Sequence, residues 1–376
     1  MREIGLYIHI PFCKRKCYYC DFNSYAGYDY LFDDYIRALL MEIESNSTKD
    51  YNVISVYIGG GTPNLLPSSY IEEILKSVVK NYKILDGCEI TIEMNPGLIT
   101  EEKLKIYKGS GINRVSIGLQ AFQNRLLKYI GRIHTIEEFL ENYELVKKFF
   151  DNINIDLMYA LPTQTFKEWQ ETLKEVVKLQ PTHVSTYSLI LEPNTSFYRL
   201  YEKGQLPIVD EEEELKMYHW GIEFLKEKGY QHYEISNFAL PTFECRHNIL
   251  YWECKNYLGF GAGAHSYTGG LRYSNIENVK DYIKGVLERK SAVKEKIELT
   301  KQDKMAEFMF LGMRMTKGVY DKDFKKRFGV SLFEIYGKVI QKYLKEGLIE
   351  VDNEYVKLTT ERGIDVSNAI FEEFLP

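Results

Sequence analysis

The first half of the chain alternates between short apolar runs and longer stretches with helical periodicity. Apolar runs rich in β-branched and aromatic residues predict strands at Leu6–Ile10, Val53–Ile58, Glu89–Glu93, Arg114–Ile117, Asn154–Met158 and His183–Leu189. Helices are predicted between them at Tyr30–Glu44, Ser68–Val79, Thr135–Phe149 and Phe166–Leu179. Such β–α units predict a parallel sheet with helices outside it. Because six units are too few for a closed eight-unit barrel, we expect an α/β fold with a partial (β/α)6 barrel and its chemistry at the carboxyl ends of the strands.

The pattern changes after about residue 200. The acidic run Asp210–Glu214 is interpreted as the solvated first turn of a helix, and the aromatic and glycine-rich stretch Tyr230–Asn278 is expected to be rich in loops. Later elements are predicted as helices at Thr300–Met315, Asp321–Phe328 and Ser331–Glu346, a hairpin at Leu348–Val351 and Tyr355–Leu358, and a last helix. This order resembles a winged-helix module, but it has no basic stripe, which favours a structural cap. We therefore divide the chain into a partial barrel (1–205), a connecting region (206–295) and a mainly helical C-terminal domain (296–376).

Composition narrows the class of protein. The 376 residues include 48 Lys and Arg against 54 Asp and Glu, a net charge of −6, which argues against binding nucleic acid through bulk charge. No run of 18 apolar residues predicts a membrane span, and the first residues lack the pattern of a secretory signal. We therefore expect a cytoplasmic protein, in which clustered cysteines indicate metal binding or catalysis rather than disulfides.

Three cysteines follow the first predicted strand. Cys13, Cys17 and Cys20 have the spacing C-x3-C-x2-C, with the basic residues 14–16 inside the loop. Three thiolates on one loop can hold three irons of a [4Fe–4S] cluster and leave the fourth iron open to a small molecule, here expected to be S-adenosylmethionine (SAM). Zinc with His9 as a fourth ligand is the alternative, although structural zinc ligands usually come in two separated pairs.

Polar residues near the ends of the other predicted strands supply groups that suit such a cofactor. They are Gly60, Gly61, Thr62, Glu93, Gln120, Arg132 and Asp156. The glycines let backbone approach a ligand, the carboxylates suit ribose hydroxyls, and a guanidinium suits a carboxylate. Each residue alone could be an ordinary strand-end residue, so the prediction depends on their combination with the cysteine loop.

The segment from Leu6 to Phe22 resembles the start of radical SAM enzymes of the coproporphyrinogen-oxidase-like group, and the resemblance covers essentially the whole chain. It implies that the three cysteines hold a [4Fe–4S] cluster reduced by an electron donor. It also implies that Tyr7, together with the polar set above, binds SAM. The family usually has glycine where this chain has Ala160 and Thr163, so a differently shaped loop is expected there.

Two kinds of protein in this group share the core. Oxygen-independent coproporphyrinogen III oxidases usually carry a fourth cysteine where this chain has Phe22, and a longer segment than the 12 residues found here before Cys13. Haem-carrying members have the sequence Cys-Asp-Phe and a His-Asn-x-x-Tyr-Trp motif, which this chain matches at His247–Trp252. The resemblance thus implies a haem chaperone, with porphyrinogen decarboxylation as the alternative.

The expected partners follow from that resemblance: haem or porphyrin, an electron donor and a membrane haemoprotein acceptor, with peripheral membrane contact during delivery and a homodimer as one assembly. His247 is a candidate axial ligand of haem iron. From the residues alone, it could instead be a buried histidine that is satisfied by backbone. The glycine-rich stretch Gly259–Ser266 either borders the cofactor site or forms a tight bend, and His9, His134 and His265 are interpreted as structural.

Overall fold

The computed structural model describes residues 2–376. The strands are β1 (Arg2–Ile10), β2 (Phe12–Cys13), β3 (Tyr25–Ala26), β4 (Tyr51–Gly60), β5 (Lys83–Met94), β6 (Arg114–Gln120), β7 (Asn152–Tyr159), β8 (His183–Ser188), β9 (Gln231–Glu234), β10 (Asn237–Ala239), β11 (Tyr257–Phe260), β12 (His265–Thr268), β13 (Leu271–Asn275), β14 (Val293–Glu298), β15 (Val319–Tyr320), β16 (Ile349–Asp352) and β17 (Tyr355–Leu358). The α-helices are α1 (Phe32–Ser45), α2 (Ser68–Asn81), α3 (Glu101–Gly109), α4 (Asn124–Tyr129), α5 (Ile136–Lys147), α6 (Phe166–Lys178), α7 (Ser196–Glu202), α8 (Glu211–Glu227), α9 (Arg246–Trp252), α10 (Val279–Arg289), α11 (Lys301–Gly312), α12 (Asp321–Phe328), α13 (Leu332–Lys345) and α14 (Ser367–Glu372).

The centre of the fold is the predicted partial barrel. Strands β1, β4, β5, β6, β7 and β8 are parallel neighbours, and helices α1, α2, α3, α5 and α6 lie on the connections between them. Parallel strands require such crossovers, and a sheet covered by helices buries both faces of its strands. All seven residues of β6 are buried accordingly. The six predicted strands and the (β/α)6 arrangement are confirmed.

The stretch Tyr230–Asn278 differs from its predicted loop-rich character. It contains helix α9 and the five strands β9 to β13, which extend the central sheet at both edges. Strand β10 pairs antiparallel with β8, while β11 pairs parallel with β1 and leads to β12, β13 and β14. These strands have three to five residues each, too few for a periodic pattern to identify them. The connecting region thus shares its sheet with the first 205 residues.

The C-terminal elements follow the predicted order. Helices α11, α12 and α13 precede the hairpin of β16 and β17, and β15 adds a third strand in the order β15-β17-β16. This arrangement of helices with a small antiparallel sheet is consistent with the winged-helix-like expectation. Thr300 begins α11 with a capping box, in which its side chain accepts a hydrogen bond from the backbone N–H of Asp303.

Among the helices of residues 2–376, none is both long and apolar enough to cross a membrane. The helices on the connections between the parallel strands pack along the faces of the sheet, not across the ends of its strands. The carboxyl ends of the parallel strands therefore remain free to carry polar side chains.

Candidate functional site

The cysteine loop leaves the carboxyl end of β1. Cys13 ends β2 and is buried, Cys17 and Cys20 are half-buried, and all three are free thiols. In the part of the chain that the structure describes, no three His, Cys, Asp or Glu side chains converge as around one metal ion. A cluster does not need such convergence, because each thiolate binds its own iron. Both nitrogens of His9 already have partners, the Tyr7 hydroxyl at 3.0 Å and the Asn23 carbonyl at 2.8 Å.

The polar groups that contact the thiols of this loop include Thr62 and Arg132. The Thr62 hydroxyl donates a hydrogen bond to Cys13 Sγ at 3.4 Å, and Arg132 Nη1 lies 3.8 Å from Cys17 Sγ. Burial raises the pKa of Cys20 to about 11 and also raises that of Cys13. The thiols of Cys13 and Cys20 therefore keep their protons until a metal displaces them. The guanidinium of Arg132 would stabilise the thiolates of the loop once a metal binds. The donor set fits an iron–sulfur cluster.

Glu93 lies one residue before the end of β5 and faces the turn after β4. Its carboxylate accepts hydrogen bonds from the Tyr57 hydroxyl at 2.8 Å and from the Gly60 backbone N–H at 3.0 Å. Burial raises the pKa of Glu93 to about 7, and the nearby charge of Asp156 acts in the same direction. Glu93 is therefore placed to change its charge state when a cationic ligand binds.

Gly60 is required by packing within the chain. Its φ is +110°, and a Cβ atom at this position would lie 2.5 Å from the His9 ring. At Gly61 a Cβ would lie 2.7 Å from the Phe12 carbonyl oxygen. The close approach of backbone to a ligand stays a prediction, whereas the structure shows a close approach between two segments of the chain. Glycine is the residue that allows both the positive φ and this contact.

Arg132 and Gln120 bring unpartnered polar atoms to the same edge. Arg132 Nη2 donates to Asn95 Oδ1 and to the Gly118 carbonyl, both at 2.7 Å, while its Nε is buried with no partner. Gln120 ends β6 with a φ of +69°, and its Oε1 is also buried without a partner. Buried polar atoms in folded proteins almost always have partners. These two orphaned atoms fit a site that receives a polar ligand such as SAM.

Asp156 lies inside β7, three residues before its end, whereas we predicted it at the strand end. Its two carboxylate oxygens accept hydrogen bonds from Ser116 Oγ at 2.7 Å and Asn154 Nδ2 at 2.8 Å. A carboxylate has about four acceptor positions, so capacity remains for ligand hydroxyls. The two neutral donors fix the orientation of this side chain.

Sequence reasoning missed Asn95 and Tyr57 as members of the site. Asn95 accepts from Arg132 and donates through Nδ2 to the Thr62 hydroxyl at 2.9 Å, so it joins the turn to the guanidinium. Its position two residues after Glu93, at the end of a central strand, is a signal that could have identified it. Tyr57 lies two residues before the glycine turn and orients Glu93.

The loop after β7 contains Ala160 and Thr163, the two positions at which the resemblance implies glycine. Ala160 and Thr163 have φ values of +54° and +67°, in the left-handed region that favours glycine. Arg125 holds this loop by donating to the Thr163 hydroxyl and to its carbonyl, each at 2.9 Å. Both residues thus have a backbone conformation that glycine adopts more easily, and a loop shaped differently from that of the family stays a prediction.

His247 is a buried histidine with side-chain partners on both nitrogens. Its relative exposure is 1%, Nδ1 lies 2.9 Å from Ser55 Oγ, and Nε2 lies 2.8 Å from the Tyr251 hydroxyl. Burial lowers its pKa to about 3, so the ring is neutral. In this geometry both ring nitrogens are occupied by hydroxyl groups, so His247 would have to release one of them to bind an iron. The axial-ligand role of His247 stays a prediction, and its partners here are side chains rather than backbone.

A cavity of about 490 Å³ lies beside these residues. Its lining includes Tyr7, Gly60 and Glu93 of the site described above. The rest of the lining is rich in aromatic side chains and includes two basic residues, two histidines and one further carboxylate: Phe22, Tyr251, Trp252, Tyr257, Tyr267, Lys255, Arg272, His9, His265 and Glu307, together with Cys254. Its size falls in the range of small-molecule and cofactor sites, about 300–1,000 Å³.

Comparisons with known proteins cover the same regions. The model of the radical SAM superfamily matches residues 7–176, and that of the HemN C-terminal domain matches residues 299–366. The chain is 39% identical to a protein named Heme chaperone HemW from Lactococcus lactis subsp. lactis, over 98% of this chain and 96% of that protein. It is 38% identical to the Bacillus subtilis protein of that name, over 98% of each, and 32% identical to that of Escherichia coli, over 99% and 98%.

One solved structure resembles the whole fold. It is described as coproporphyrinogen III oxidase (HemN) from Escherichia coli, a radical SAM enzyme, and matches with a TM-score of 0.86 at 25% identity. The match covers 99% of this chain and 90% of that one. The partial barrel and the C-terminal domain therefore have the arrangement found in that group.

Proposed function

The chain belongs to the HemW family within the radical SAM superfamily, and we propose that it is a haem chaperone that binds a [4Fe–4S] cluster, SAM and haem and delivers haem to a membrane haemoprotein. The observation that carries this proposal is the aromatic cavity, which is continuous with Tyr7, Gly60 and Glu93. Aromatic rings pack on flat apolar ligands, and the cavity also contains the basic groups that the propionates of a porphyrin require.

The residues at the carboxyl edge have distinct tasks in this proposal. Cys13, Cys17 and Cys20 hold the cluster, which when bound supplies a single electron to the SAM sulfonium. Arg132 and Gln120 receive the carboxylate and amino end of SAM through their unpartnered atoms. Glu93 and Asp156 accept hydrogen bonds from ribose hydroxyls, and the glycine turn before Thr62 forms the backbone wall.

Haem transport is favoured over porphyrinogen decarboxylation by Phe22. This residue stands where the oxidases usually have a fourth cysteine; it lines the cavity and is 58% exposed. An exposed phenylalanine beside a cavity suits contact with a porphyrin face. The relatives named Heme chaperone HemW from Lactococcus lactis and Escherichia coli also match nearly the full length, at 39% and 32% identity.

The oxidase remains a second candidate because of the structural match at a TM-score of 0.86. The deciding experiment reconstitutes the cluster without oxygen, adds reductant, SAM and coproporphyrinogen III, and separates the porphyrins by chromatography. Parallel samples are titrated with haem and followed at the Soret band. We expect unchanged porphyrinogen and saturable haem binding, with the Cys17→Ser protein as the control for dependence on the cluster.

Decarboxylated product at enzymatic turnover would replace this proposal by the oxidase function. A protein with a full cluster but no saturable haem binding would also contradict it. The proposal further implies a cytoplasmic location, an electron donor as a partner, and contact with the membrane surface during transfer. Transfer is tested by mixing the haem-loaded protein with a membrane-embedded apo-acceptor and recovering haem in the membrane fraction.

A further inference from the structure

The sheet extension places a set of side chains on one face. Strand β12 pairs antiparallel with β11 and β13, so that Tyr257 lies opposite Tyr267, and Tyr267 opposite Arg272. Residues two apart on a strand point to the same face, so His265 shares this face with Tyr267. His265, Tyr257, Tyr267 and Arg272 all line the cavity. The β11–β13 extension therefore forms one wall of the haem cavity proposed above.

His265 is held by a rigid backbone. A Cβ at Gly259 would lie 2.1 Å from the His265 carbonyl oxygen, and the neighbouring Ser266 hydroxyl accepts from the Gly259 N–H at 2.8 Å. The turn between these strands is anchored by Glu42, whose buried carboxylate accepts from the Gly261 N–H at 2.8 Å. The glycine-rich stretch thus both borders the site and forms a tight bend. A fixed backbone with a free ring suits a metal ligand, because little conformational freedom remains to be lost on binding.

The His265 ring is exposed, and in residues 2–376 no protein group makes a hydrogen bond or ring contact with it. Other iron-binding groups around the cavity are less available. His9 has partners on both nitrogens, and burial raises the pKa of Cys254 to about 12, so that this thiol keeps its proton. His247 uses both of its nitrogens as well.

We infer that His265 is the axial ligand of the haem iron, an inference that depends on the haem function proposed above. The porphyrin then packs against Tyr257 and Tyr267, with Arg272 at a propionate. Arg272 also pairs with Glu307 at 2.9 Å, but a guanidinium has five N–H donors and can bind a second carboxylate. Neutral imidazole is a common ligand of haem iron, and the ligand sets the spectrum of the complex.

The test compares the full-length reconstituted protein with His265→Ala and a matched control, His219→Ala. His219 lies on α8 outside the cavity lining and pairs with Asp365 at 2.9 Å. Each protein is titrated with haem, and the ferric complex is examined by its Soret position and by electron paramagnetic resonance. We expect His265→Ala to bind haem about tenfold more weakly or worse and to lose the imidazole signature, which added imidazole restores. His219→Ala should match the unmodified protein.

A His265→Ala protein with the original Soret position and affinity would overturn this inference and leave the haem function in place. An unmodified protein that binds no haem would overturn the function and the ligand assignment together. A spectrum lost in His265→Ala but not restored by imidazole, with weakened binding, would also count against direct ligation, since it would indicate a positioning role.

Discussion

Glu93 has a buried carboxylate that becomes charged as pH rises. The Glu93→Gln substitution measures two effects of this charge separately, the loss of folding stability and the gain in SAM affinity. The carboxylate accepts hydrogen bonds from Tyr57 and Gly60 in the folded chain. Burial raises its pKa from 4.5 to about 7. Between these values the folded state binds more protons than the unfolded state, so the stability of the protein decreases as pH rises from about 4.5 through 7. Below this interval Glu93 is protonated in both states and the penalty is absent.

The loss of folding stability can be calculated from the rise in the pKa of Glu93. A rise from 4.5 to about 7 corresponds to about 3 kcal/mol of lost stability above pH 7. Glutamine is neutral at every pH and accepts through one oxygen only, so the variant loses a hydrogen bond worth about 1–3 kcal/mol at all pH values. The free energy of unfolding of the variant, measured relative to that of the unmodified protein, should therefore rise by about 3 kcal/mol as pH increases from 4.5 to 8. Its SAM affinity should fall about 10- to 150-fold, because a bond to a charged acceptor is lost.

Urea unfolding of the cluster-free chain at several pH values measures the first effect, and equilibrium dialysis of SAM on the reconstituted protein measures the second. Glu42→Gln is the control, since burial also raises the pKa of Glu42 to about 7 but Glu42 lies against Tyr282, Asn275 and Gly261. The relative free energy of unfolding of Glu42→Gln should change with pH in a similar way, while its SAM affinity should equal that of the unmodified protein. A difference between Glu93→Gln and the unmodified protein that stays constant from pH 5 to 8 would refute the buried-charge reasoning. Unchanged SAM affinity would remove Glu93 from the site.

Three further outcomes are expected. Cys17→Ser should hold fewer than four irons per chain and cleave no SAM, by iron assay and chromatography, whereas Cys88→Ser should behave normally; four irons in the first variant would contradict the ligand assignment. His247→Ala leaves two buried hydroxyls without a partner, so thermal unfolding should show a loss of about 2–5 kcal/mol while the haem spectrum keeps its position. Ala160→Gly relieves a left-handed backbone and should raise the free energy of unfolding in urea by about 0.5–1 kcal/mol; a decrease would show that the loop tolerates alanine without strain.

The sequence determined the barrel and the cysteine loop, because both are encoded in local patterns. Each central strand is a continuous apolar run, since helices cover both faces of the sheet, and each helix repeats apolar residues on one side. Cys13, Cys17 and Cys20 lie within eight residues, so their spacing alone indicates a shared ligand. Glu93 and Gln120 were predicted to share an edge because the carboxyl ends of parallel strands meet there.

Contacts between distant segments were decided by the tertiary structure alone. His247 Nδ1 is hydrogen-bonded to the hydroxyl of Ser55, which is 192 residues away in the sequence. No local sequence pattern predicts this hydrogen bond. Glu42 holds the Gly261 turn across 219 positions and thereby fixes the strand that presents His265. Strands of three to five residues, such as those of the sheet extension, take their conformation from the neighbours with which they pair, not from their own periodicity. The wall of the cavity therefore exists only where β1 supplies an edge for β11 to join.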